Sequence, residues 1–206
     1  MKFGFELELF CRTPMIENVG GQYCLVPDGL PYDECGWLVE VRSEPHTDIR
    51  KAIALLNAEL ESVTEQATKK SIILMREPMT EIPRNLKVQA ARKHGKGLLR
   101  YRNVYGHETH RNSTRFQTAS LHISFTNEQK WHYTNKDGQQ MSHKYPGFVD
   151  HAKLIVGLDR AFKAEIAAAK RNPGFYEVKD DGRIEYRSLP NNVDLNKVRE
   201  ELEKLM

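Results

Sequence analysis

The sequence predicts an α+β protein, with one sheet that carries helices over one face and charged side chains on the other. Two observations carry this expectation. Four separate stretches alternate apolar and polar residues with a period of two, as strands with one packed side do. Two longer stretches, at about 48–68 and 148–171, repeat apolar residues at helical spacing. If the four strands share a sheet, the helices cover their apolar side, and Glu6/Glu8, Glu40/Arg42, His122/Ser124 and Glu185/Arg187 meet on the other.

The elements follow in order. Residues 2–10 alternate, with Phe3, Phe5, Leu7 and Leu9 opposite Gly4, Glu6 and Glu8. Taken alone, that glutamate pair suits a solvent-facing strand. Residues 13–21 read as a loop punctuated by Pro14 and Gly20-Gly21. Residues 22–26 read as a short strand, and Pro27-Asp28-Gly29 as a turn in which Asp28 is a turn residue first. Asp33 and Glu34 lie just before the next strand and are within reach of its charged face. That strand, 36–45 (GWLVEVRSEP), places Trp37, Val39 and Val41 opposite Leu38, Glu40 and Arg42, and Pro45 ends it. Thr47 and Asp48 start the first helix, whose stripe runs through Ile49, Ala52, Ile53, Leu56, Leu60 and Val63. Residues 71–75 (SIILM) predict a short buried strand.

Residues 81–115 form a basic insertion. Arg84, Lys87, Arg92, Lys93, His94, Lys96, Arg100, Arg102, Arg111 and Arg115 face only two acids, Glu81 and Glu108, with Tyr101 and Tyr105 interleaved. Two readings stand side by side: a solvated helix and loop, or a surface for phosphate-rich ligands. His94-Gly95-Lys96-Gly97 is too short for a phosphate-cradling Walker loop, and His107-Glu108-Thr109-His110 is one residue short of the HExxH zinc spacing.

Residues 120–125 (SLHISF) alternate again, with His122 and Ser124 on the polar side. A lone strand histidine is usually structural, but this one joins the acids of the other strands. Residues 128–145 read as a small hairpin or a mobile loop around Asp137-Gly138, whose aromatics Trp131 and Tyr133 suit packing first and the cover of a ligand second. The second long helix spans 148–171, and Asn172-Pro173-Gly174 stops it. Residues 176–178, the Asp181-Gly182 turn and the strand 183–190 (RIEYRSLP) follow. In that strand Ile184, Tyr186 and Ser188 alternate with Glu185 and Arg187. Asp194 starts a final charged helix.

A length of 206 residues is enough for one domain with a core, 1–206, that carries the insertion. Net charge is only +3, and no apolar run is long enough to cross a membrane. Cys11, Cys24 and Cys35 lack CxxC spacing, and MKFGFELELF is a poor signal peptide. A cytoplasmic protein with reduced thiols is expected. Asn112-Ser113-Thr114 is then a chance sequon.

Four carboxylates and an imidazole on one sheet face need a cation. Oxygen ligands with one nitrogen suit magnesium or manganese. The neighbouring arginines suit phosphate, whose oxygens match the planar fork. Together these predict phosphoryl transfer or phosphodiester cleavage. A metal-dependent nuclease or nucleic-acid-binding protein, using the basic stretch from Arg84 to Arg115, is the alternative.

In order along the chain come Gly4-Phe5-Glu6-Leu7-Glu8, Asp28-Gly29, Glu40-Val41-Arg42, Leu121-His122-Ile123-Ser124 and Glu185-Tyr186-Arg187. This pattern resembles the amidoligase (COOH–NH2 ligase) branch of the glutamine synthetase and glutamate–cysteine ligase superfamily. That branch is often phage- or bacteria-encoded. The family often has Gly-Gly before the histidine and a second histidine two residues later; Ser124 stands at the latter place here. The resemblance implies a curved, mainly antiparallel sheet whose concave face holds metal and ATP. It also implies that Glu6, Glu8, Glu40, His122 and Glu185 are metal ligands, and that Arg42 and Arg187 hold phosphate or substrate carboxylate. Asp28, Ser124, Arg100 and Arg102 become candidates for nucleotide or substrate binding. The implied reaction joins a carboxylate to an amine through an acyl phosphate, with ATP as co-substrate.

Overall fold

The computed structural model describes residues 1–14, 21–33, 36–86, 88, 102–106, 116–146 and 149–206. Glu34, Cys35, Arg100, most of the basic stretch, including the HGKG and HETH sequences and the sequon, and the side chain of Trp131 lie outside the described residues.

The strands are β1 (Lys2–Arg12), β2 (Leu38–Arg42), β3 (Ile73–Met75), β4 (Met79–Glu81), β5 (Arg102–Asn103), β6 (Phe116–Thr118), β7 (Ser120–Thr126), β8 (Glu128–Thr134), β9 (Gln140–Pro146), β10 (Phe175–Val178) and β11 (Ile184–Pro190). The helices are α1 (Ile49–Lys69), α2 (His151–Ala161), α3 (Lys163–Ala168) and α4 (Leu195–Leu205). A seven-stranded sheet runs β2-β1-β7-β11-β10-β5, and β3 also pairs with β1. Every pairing in it is antiparallel. The chain is therefore an α+β protein, as the two hydrophobic periods predict.

The alternation read from the sequence decides which face packs. Phe3, Phe5, Leu7 and Leu9 of β1 join one core with Val39 and Val41 of β2, Leu121, Ile123 and Phe125 of β7, and Ile184 and Tyr186 of β11. Ile49, Ala52, Ile53, Leu56 and Val63 of α1, Leu154, Ile155 and Leu158 of α2, Phe162, Ile166, and Val198 and Leu202 of α4 complete it. Each buried Val, Leu, Ile or Phe among these contributes about 1.5–3 kcal/mol, so the register of the strands is strongly specified. Asp48 caps α1 by accepting from the amides of Arg50 and Lys51, and Asp194 caps α4 through the amide of Asn196.

Several expectations are corrected in detail. Residues 22–26 do not form a strand; only Tyr23 bridges β1, at Arg12. The helix expected over 148–171 is broken at Phe162, whose backbone (φ −111, ψ 22) leaves the helical region. In β11 the register shifts between Tyr186 and Leu189. This bulge makes Leu189, not Ser188, the next core residue after Tyr186. Of the two readings of residues 128–145, the structure has the hairpin, β8 with β9, closed at Gly138 with φ +77.

A second, smaller apolar cluster sits on the polar side of the sheet. Phe10 and Leu38, in the rows that hold Glu8 and Glu40, pack with Ile82, Ala119, Trp37, Met75 and Leu86. Ile82 and Ala119 directly follow β4 and β6, so the β4–β6 pair, which brackets the basic stretch, lies beside this cluster.

Candidate metal and anion site

The register brings the four polar strand faces together. Glu8 stands opposite Glu40, and Glu6 opposite both Arg42 and His122. Ser124 stands opposite Gly4 and Glu185, and Glu185 opposite Glu177. β1 is the centre of the arrangement because it pairs with both β2 and β7, which puts its two glutamates between the other charges.

Glu6, Glu8, Glu40, His122, Ser124 and Glu185 are all buried. His122 Nδ1 lies 3.3 Å from Glu6 Oε2 and 3.4 Å from Glu185 Oε1, while Nε2 lies 3.5 Å from Glu8 Oε1. One ligand atom each from Glu6, His122 and Glu185 fall within 4.8 Å of one another. Glu8 Oε2 accepts from the amide of Ser120 at 2.7 Å, which fixes that carboxylate against β7. Asn191 Nδ2 donates to the Glu8 carbonyl at 2.9 Å.

Both arginines are engaged with the acids. Arg42 pairs with Glu40 and lies 3.4 Å from Glu6. Arg187 pairs with Glu185 and lies 3.2 Å from Glu177. Lys179 lies 3.0 Å from Glu177 and 3.2 Å from Glu185. Four carboxylates, Glu6, Glu40, Glu177 and Glu185, thus meet three cationic side chains in ion-pair contact, and the fifth, Glu8, lies against His122. The acids of the cluster outnumber these three cationic side chains, an excess of acid that a bound cation would offset.

The titration of the site reflects that excess. Burial, and then Glu6, raises the Glu40 carboxyl to about 7 against the opposing pull of Arg42. Burial, and then Arg187, lowers His122 to about 4, although Glu8 and Glu185 pull the other way. The imidazole is therefore neutral at neutral pH, the form that ligates a metal. Among the described residues, the Ser124 hydroxyl is buried with no hydrogen-bond partner. An orphaned buried hydroxyl costs about 1–3 kcal/mol. An oxygen-rich donor set with one nitrogen and an unmatched hydroxyl beside it fits a hard divalent cation.

The remaining candidates are elsewhere. Asp28 is exposed in the turn before Gly29, close to Lys70 at the end of α1. Arg102 is exposed on the edge strand β5, opposite Tyr176, in the row that leads to Tyr186 on the helix-covered face. Glu177 and Lys179 joined the cluster without having been singled out. The Asp181-Gly182 turn was the available signal, because a hairpin closed there sets Glu177 opposite Glu185.

Compared with family models, with curated proteins and with solved structures, the chain matches none.

Proposed function

We propose that this chain is a magnesium- or manganese-dependent carboxylate–amine ligase that uses ATP, built on a glutamine synthetase-like sheet. The observation that carries the reading is the Glu6–His122–Glu185 group on three adjacent strands, flanked by Arg42 and Arg187. In this reading Glu6, His122 and Glu185 hold one ion, and Glu8 and Glu40 extend the site along β1 and β2. An ion held there would neutralise phosphate oxygens and polarise the transferring phosphoryl group.

The protein's own groups supply the rest. Arg42 and Arg187 exchange a carboxylate partner for phosphate oxygens, which the planar guanidinium fork accepts equally well. A substrate carboxylate oxygen attacks the γ-phosphorus of ATP, the bond to the β–γ bridging oxygen breaks, and ADP leaves. An amine then attacks the acyl carbon, inorganic phosphate departs, and the amine nitrogen loses a proton. The buried sheet face limits water, the competing nucleophile for an acyl phosphate.

Calorimetric titration of ATP with magnesium into wild type and Glu185→Gln tests the reading. Saturable binding that requires magnesium and is lost in the variant is expected, followed by ADP release with carboxylate and amine pools. Wild-type protein that binds no ATP, with or without magnesium, overturns it.

A further inference from the structure

We propose that Arg171 is a positioning residue that holds the β11 bulge in shape and so sets Arg187 against the acidic cluster. The register shift between Tyr186 and Leu189 places both Arg187 and Ser188 opposite His122. A bulge of this kind leaves carbonyls without ladder partners. Among the described residues β10 pairs with β11 only from Tyr176 to Val178, so that ladder stops short of residues 187 and 188. Arg171 takes their carbonyls. Its Nε donates to the Ser188 carbonyl at 3.0 Å, and its Nη2 donates to the Arg187 carbonyl at 2.6 Å. The Ser188 hydroxyl accepts from the amide of Phe175 at 3.0 Å, which closes the other side of the bulge.

Arg171 is itself aimed by an unusual backbone. Its amide reaches back to the Ile166 carbonyl at 2.9 Å, and the amide of Lys170 to Ala167 at 2.9 Å. These two hydrogen bonds make a Schellman cap at the end of α3, with Lys170 in the left-handed position at φ +52. A lysine there is strained where glycine is not. The strained cap delivers the guanidinium of the next residue to the two bulge carbonyls. Tyr186, on the near side of the bulge, is pinned from the helix face, its hydroxyl donating to Asp159 Oδ1 at 2.6 Å. With both flanks held, the Arg187 side chain stays 16% exposed against Glu185 and Glu177.

The positioning is independent of what Arg187 does; its use as an anion-holding group rests on the ligase reading. The test labels the full-length protein with phenylglyoxal and follows each arginine by peptide mass spectrometry. Arg171→Met is expected to raise the labelling rate of Arg187 at least about fivefold, with Arg42 and Arg183 unchanged and thermal unfolding still cooperative. Arg171→Lys, which keeps the charge but loses the fork, gives an intermediate rate and serves if the methionine variant does not fold. Arg187 labelling within about twofold of wild type in the folded variants overturns the proposal, and so does a rise shared by Arg42 and Arg183, which reports general loosening. Calorimetry with magnesium and ATP on the same proteins separates the two readings. Absent wild-type binding sinks the ligase, while the labelling pattern still decides the role of Arg171.

Discussion

Replacing Glu40 by Gln in metal-free protein isolates the charge excess on the sheet. Burial and Glu6 raise this carboxyl from 4.5 to about 7, so the folded chain keeps a proton over a range in which the unfolded chain has released it. The corresponding stability is fully present below pH 4.5 and is lost as pH rises through about 7. At about 1.4 kcal/mol per pH unit over that span, the loss comes to ~3 kcal/mol. Glu40 is only 8% exposed, so solvent screening takes little from it. Glutamine does not titrate, and the stability of Glu40→Gln minus that of wild type therefore rises by ~3 kcal/mol from about pH 4.5 to about pH 7.5. His122 acts in the opposite sense. Its folded value is depressed from 6.5 to about 4, so its contribution is present above pH 6.5 and lost as pH falls through about 4. That term is common to both proteins and cancels in the difference. Urea denaturation in the presence of a chelator, repeated across this range, measures the quantity. A difference flat to within about 0.5 kcal/mol refutes the reasoning, because Glu40 would then already be ionised near pH 5. On the proposed reading, saturating magnesium is expected to flatten the profile, the ion taking the place of the proton.

Two further outcomes are expected. Manganese at one hundred times its dissociation constant stabilises the protein by about 2.7 kcal/mol, which raises Tm by roughly 5–11 °C for a chain of this length. Differential scanning fluorimetry reads this shift, and an equal shift in Glu185→Gln counts against the proposed ion ligands. Gly174 has φ +81, and a Cβ there would meet the Tyr105 ring at 2.6 Å, whereas Gly138, at φ +77, faces open space. Gly138→Ala therefore costs only backbone strain, about 1 kcal/mol, while Gly174→Ala costs about 2–3 kcal/mol. Equal losses in chemical denaturation would show that Tyr105 does not pack there.

Much of the fold and most of the site can be read along the chain. A period of two in β1, β2, β7 and β11 assigns Phe5, Val39, Ile123 and Ile184 to the core and Glu6, Glu40, His122 and Glu185 to the opposite side. Side-chain direction in a strand is a local property of the backbone, so no knowledge of partners is needed. The break at Phe162 and the bulge after Tyr186 were not legible, because both are settled by how a buried side chain fits its neighbours. The isolated bridge at Tyr23, where a strand was expected, has the same origin: pairing depends on a partner, and β1 is already paired along most of its length.

The sequence by itself determined that acids, a histidine and arginines lie on the polar sides of several strands, and that those strands carry helices on their other side. Only the tertiary structure decided which of these residues meet. Strand order placed β7 between β1 and β11, so that His122 faces Glu6, Glu8 and Glu185. Register brought Glu177 and Lys179 into the same cluster. The same order left Arg102 at the far edge, on the helix-covered side. Strand order and register arise from long-range packing of one apolar face, and the energies that select them belong to the whole core rather than to any one stretch of residues.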